Sequence, residues 1–100
     1  MYAVIRKLVY DKSRLDAGGQ QQLAEFNAIH GRQPGFRGSM AIEADDGSTV
    51  ALNLWASAPD AMAGLAVLRP AVQQLLEPLL EEPAVLIGAG PVVDSTLRLT

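Results

Sequence analysis

The chain has no cysteine, one histidine and one tryptophan in 100 residues, and its 8 lysines and arginines are outnumbered by 11 aspartates and glutamates. Without cysteine it forms no disulfide, holds no thiolate-bound metal and has no thiol nucleophile. A lone His30 cannot build a multi-histidine zinc or iron site. The net charge is −3, and the cations are scattered from Arg6 to Arg98. No basic stripe exists to neutralise phosphates, so a nucleic-acid partner is not expected. No apolar run approaches the roughly 20 residues that span a bilayer. Arg6 and Lys7 interrupt the first apolar stretch before it could act as a secretory leader. The expectation is a cytoplasmic, soluble protein with no membrane partner.

What is present is apolar bulk. Hydrophobic residues make up 49% of the chain, enough for one core, so residues 1–100 are expected to form a single domain. Residues 2–10 (YAVIRKLVY) are β-branched and aromatic and read as a strand. A polar connection with Gly18 and Gly19 follows over 12–19. Residues 20–30 carry Leu23, Phe26 and Ile29 or His30 at helical spacing, with Gly31 as a stop. Pro34-Gly35 suits a type II turn, proline fixing φ at its second position and glycine supplying a positive φ at its third. Strands are expected at about 36–44 and 49–56, joined by the turn Asp45-Asp46-Gly47-Ser48. Ser57 can cap a helix that has Pro59 in its first turn. Pro70 and Pro78 should interrupt the helical stretch 60–82. A short helix should therefore end near Leu68, and a second restart at Pro70 with Leu75, Leu76, Leu79 and Leu80 buried. Residues 84–88 form the last strand, broken by Gly90-Pro91. Beyond it, 92–99 alternates, with Val93, Leu97 and Leu99 on one side.

The order β-α-β-β-α-β is that of an α+β ferredoxin-like fold, an antiparallel sheet with helices on one face. Strands one, three and four are largely apolar on both faces, and two helices cover only one. The alternative is a second face only partly apolar, through Ser39, Glu43 and Lys7, and tolerated in water. A homodimer packed sheet against sheet is the expected solution, with 92–99 as an arm crossing to the partner.

Three features together resemble the antibiotic biosynthesis monooxygenase family: the strand Tyr2–Tyr10, the turn Gln33-Pro34-Gly35-Phe36, and Trp55, Ser57, Asp60 and Ala61 at the end of strand three. The restart Leu68-Arg69-Pro70 before a leucine-rich helix adds to the likeness, which runs along nearly the whole chain. The resemblance implies a dimeric α+β barrel. Family members include cofactor-free oxygenases of polycyclic phenols, haem-degrading enzymes and proteins with no established role. In the oxygenases an asparagine and a tryptophan of the third-strand region line a cavity between sheet and helices, a role that Asn53 and Trp55 fit by position. The haem-degrading branch needs a histidine on the helix after the tryptophan. Residues 60–82 contain none, so no haem, and no other cofactor, is expected.

Strict alternation along strand three puts Ala51, Asn53 and Trp55 on one face. Asn53 could donate to the oxygen of a phenolate or enolate as a substrate is deprotonated for attack on dioxygen, or bond a neighbouring backbone group. Trp55 could wall a pocket for a flat aromatic ligand, or fill core. His30 is the natural general base, although a histidine near a helix C-terminus is favourable on dipole grounds alone. Tyr2, Arg6 and Tyr10 share a face of strand one. There the arginine could hold an anionic phenolate, or pair at the dimer surface. Arg69 could reach a cavity or a C-terminal carbonyl, and Glu43 reads as a surface or inter-subunit charge. Gly88-Ala89-Gly90-Pro91 lacks the third glycine of a dinucleotide loop, and paired catalytic carboxylates are not identifiable. Two functions stay open: a small cofactor-independent oxygenase, and a non-catalytic dimer binding a small apolar ligand.

Overall fold

The computed structural model describes residues 1–97. Strand β1 (Tyr2–Leu8) is followed by helix α1 (Ala17–Gly31), strands β2 (Phe36–Glu43) and β3 (Thr49–Trp55), helix α2 (Ala58–Ala71) and strand β4 (Val85–Pro91). The four strands form one antiparallel sheet in the order β2-β3-β1-β4. This is the α+β ferredoxin-like architecture read from the sequence. Among the described residues no helix is long and apolar enough to cross a membrane.

Local chemistry sets the turns. Gly35 has φ +79°, and the Phe36 N–H donates to the Gln33 carbonyl at 3.1 Å, as a Pro34-Gly35 type II turn requires. Gly47, at φ +86°, closes the β2–β3 hairpin, where the Asp46 carboxylate accepts from both the N–H and the hydroxyl of Ser48. Ser57 caps α2, its Oγ accepting from the Asp60 N–H at 3.2 Å, and Pro59 lies in the first turn. Each of these was legible from residue type alone.

Four expectations need correction. Helix α1 starts at Ala17 rather than at residue 20, because the Asp16 carboxylate accepts the Gly19 N–H at 2.9 Å. Gly19 is required there: any Cβ would collide with the Arg14 carbonyl. Second, Pro70 does not end α2. The Val72 N–H bonds the Leu68 and Arg69 carbonyls, and the helix then widens into a π-helical turn over Val72–Leu76. That insertion accommodates the irregularity proline forces on the ladder. Gln22 of α1 braces the turn, its Nε2 donating to the Leu75 carbonyl at 2.9 Å.

Third, Gly90-Pro91 does not break β4, which runs through both residues. The strand is at the sheet edge, where a missing N–H costs no ladder bond. A bulge opposite Ile5 and Arg6 absorbs one extra residue. Fourth, 92–97 forms no strand. Pro91 pairs with Tyr2, the first residue of β1, so apart from the Val92 N–H bonding the Met1 carbonyl nothing remains to pair with. Val93 is 93% exposed, and Leu99 lies outside the described residues.

The core lies between the helices and one sheet face. One cluster joins Val4, Trp55, Ala61 and Leu68, and a second joins Leu8, Phe26, Leu76 and Leu80. Leu79 is buried with them, and Leu75 is half-buried. The other face is uncovered in the monomer: Met40 and Ile42 are half or more exposed, beside half-buried Ile5, Val50, Leu52 and Leu54.

Candidate functional site

Helices α1 and α2 part over the middle of the sheet and leave a cleft of about 740 Å³, within the range of roughly 300–1,000 Å³ common for small-molecule sites. Its floor is the helix-facing side of the sheet. There β1 contributes Arg6 and Leu8, and β3 contributes Ala51 and Asn53. Phe26 and His30 of α1 form one wall, and Leu65, Leu68 and Arg69 of α2 the other. Tyr10, just past β1, completes the rim.

Five of the six candidate residues therefore meet in one space: Asn53, His30, Arg6, Tyr10 and Arg69. Arg6 faces the cleft, on the side away from the open sheet face. Its cross-strand neighbours are Ala51 and Leu86, neither able to pair with it. Among the described residues it forms no ion pair. Burial lowers its pKa, since removing water disfavours the charged form, and burial likewise raises that of Tyr10. The Asn53 amide forms no side-chain hydrogen bond among the described residues and opens to the cleft. Glu43 stays on the surface, bonded to Lys12 at 3.1 Å.

Trp55 is placed differently. It is 0% exposed and stands behind the cleft rather than in its lining. Its ring lies against α2, whose Gly64 is the only residue type that fits: a Cβ there would overlap the indole. Trp55 shares a face with Asn53, but it lies at the end of β3, where the helix closes down.

His30 connects the two regions. The imidazole is 8% exposed and sits in an aromatic box, with ring centroids 4.8 Å from Phe36, 5.6 Å from Trp55 and 5.8 Å from Phe26. Burial, and then the positive field of Arg6, lower its pKa from 6.5, so it is neutral at pH 7. Its Nε2 is sealed from solvent with no hydrogen-bond partner among the described residues, as is the Trp55 Nε1.

Three polar lining residues were not singled out as site residues from sequence, Asn27, Ser39 and Thr49. Helical spacing carried a signal for the first: Asn27 is three residues before His30, hence on its face. Ser39 pairs across the sheet with Asn53, a register invisible before the hairpin was aligned.

No protein-family model matches this chain, and no curated protein is similar to it in sequence. Solved structures are similar in shape. An asparagine-to-alanine variant of SnoaB, a cofactor-independent oxygenase from Streptomyces nogalater, superposes with a TM-score of 0.72 at 19% identity, covering 97% of each chain. Rv0793 from Mycobacterium tuberculosis gives 0.73 at 15% identity over 96% of this chain and 98% of its own. An antibiotic biosynthesis monooxygenase gives 0.72 at 12% identity over 94% of this chain and 100% of its own. End-to-end coverage at such identities speaks for a shared backbone plan: this chain has the fold of the antibiotic biosynthesis monooxygenases.

Proposed function

We propose that the cleft binds a small aromatic, phenolic molecule and oxidises it with dioxygen without a cofactor. The observation that carries this reading is a neutral His30 lining the same cleft as Arg6 and Asn53, in a fold shared with a cofactor-independent oxygenase. With Nε2 sealed among aromatic rings, the Nε2–H tautomer leaves Nδ1 as the base. Nδ1 accepts the proton of an activated ring CH2, and the charge spreads onto the substrate oxygen. The Asn53 amide N–H donates to that oxygen, and the Arg6 charge lowers its energy. The carbanion adds dioxygen to give a peroxide anion, which takes back the proton from His30. Loss of water leaves a ketone, so CH2 and O2 become C=O and H2O. Trp55 serves this scheme by fixing the His30 ring rather than by touching substrate.

Two observations favour the second reading, a binding protein without chemistry. Trp55 lies outside the cleft lining, and one His30 nitrogen is inaccessible, so the titratable equipment is sparse. Oxygen uptake with a panel of anthrone- and hydroquinone-type phenols separates the two. Asn53→Ala should lower kcat about a hundredfold, the usual effect of removing one oxyanion donor, with an unchanged melting temperature because the Asn53 side chain makes no hydrogen bond among the described residues. Wild-type protein that consumes no oxygen across the panel leaves only the binding role.

For the open sheet face we propose a second copy of this chain as cover. A row of half-exposed Met40, Ile42, Leu52 and Leu54 side chains is self-complementary across a two-fold axis. Cytoplasmic residence is part of the same proposal.

A further inference from the structure

The cleft has a charge its protein lacks. The chain carries −3 overall, yet the cleft lining holds two guanidinium groups, Arg6 and Arg69, and no aspartate or glutamate. The three lysine and arginine side chains that are paired lie outside the cleft floor, Lys7 with Asp46, Lys12 with Glu43 and Arg14 with Asp11. Among the described residues Arg6 and Arg69 have no acidic partner, and neither do Arg32 and Arg37. Arg6 is the more telling. It stands half-buried in mid-strand between Val4 and Leu8, with apolar Ala51 and Leu86 opposite on the neighbouring strands. A charge withdrawn from water without a counter-ion is unfavourable, and nothing in the core requires one there. A ligand anion offsets that cost, whereas a neutral ligand deepens it by removing the remaining water.

We infer that the ligand is an aromatic acid, a flat apolar ring system bearing an ionised carboxylate that Arg6 grips and Arg69 supports. Leu23, Phe26 and Leu65 supply the apolar surface for the rings, and a guanidinium meets a carboxylate through two parallel N–H···O bonds. This rests on the cleft being a ligand site, as proposed above, and not on the oxygen chemistry.

Isothermal titration of the full chain with 1-naphthoate and with neutral, near-isosteric 1-naphthamide tests it. The acid should bind wild type at least about tenfold more tightly, the equivalent of one charge-assisted pair. Arg6→Gln should erase that preference while leaving 1-naphthamide binding within about twofold. Arg6→Lys, which keeps the charge but loses the fork, should retain part of it. Equal binding of acid and amide by wild type overturns the inference, whether or not either arginine variant folds. So does an Arg6→Gln protein that still prefers the acid. If neither compound binds, the inference falls together with the cleft as a ligand site. A preference for the acid without oxygen uptake by any phenol leaves the inference standing and removes the oxygenase reading alone.

Discussion

Gly64→Ala sets two effects of opposite sign against each other. In an exposed helix interior alanine would stabilise α2 by about 1 kcal/mol over glycine. At this site the new methyl carbon would lie 2.5 Å from the Trp55 Cζ3 and still closer to Cη2, where ordinary contact begins at 3.4 Å. Ring and helix would have to separate by about 1 Å to restore normal packing. The indole has nowhere to go: it is fully buried, with Val4, Ala61 and Leu68 around it and the His30 and Phe36 rings against it. Overpacking of this kind costs about 1–3 kcal/mol, and a contact on a rigid, enclosed ring belongs at the top of that range. Packing therefore wins over propensity, by about 2 kcal/mol, which for a domain of this size lowers Tm by about 8–16 °C. Urea unfolding followed by far-UV circular dichroism at fixed protein concentration measures it, since association would otherwise shift the midpoint. Trp55→Phe removes the two clashing ring atoms, so in that background alanine should show its helix gain instead. The coupling between the two substitutions should be about 3 kcal/mol, the clash penalty itself. A Gly64→Ala protein as stable as wild type, or a penalty unchanged in the Trp55→Phe background, refutes the reasoning.

His30 makes stability fall with acidity. Its folded-state pKa lies below the ordinary 6.5 because of burial first and Arg6 second, so below that value the unfolded chain binds the extra proton more readily. Stability is complete above 6.5 and is lost as pH falls towards the lowered folded value. His30→Gln should flatten that part of the urea-midpoint profile, and a parallel profile for the two proteins contradicts it. For the open face, light scattering at micromolar concentration should give twice the chain mass, and Leu52→Lys should give monomer with native circular dichroism. A monomeric wild type rules out the sheet-to-sheet dimer.

Much of the backbone was legible in residue type because the signals are local. Proline and glycine at positions 34 and 35, Ser57 before Pro59, and the aspartates ahead of Gly47 each satisfy a turn or cap through bonds spanning two or three residues. The failures have a common cause. Pro70 read as a break because a ladder bond is lost there, but a π turn and the Gln22 side chain, distant in sequence, make good the irregularity. Gly90-Pro91 read as a break because the edge position that tolerates proline is a property of the sheet.

The candidate site divides in the same way. Sequence alone determined that Asn53 and Trp55 share a face of one strand, that a single histidine stands on the apolar side of a helix, and that cysteine chemistry is absent. Alternation and helical period fix which side a residue faces. They do not fix what lies over it. Only the tertiary structure decided that α2 closes on Trp55 through Gly64 while the helices part over Asn53. The same packing turns Arg6 inward without a counter-ion among the described residues and wraps His30 in three aromatic rings. Whether a side chain is core or cleft depends on the distance between elements remote in the chain, and no spacing along a strand encodes that.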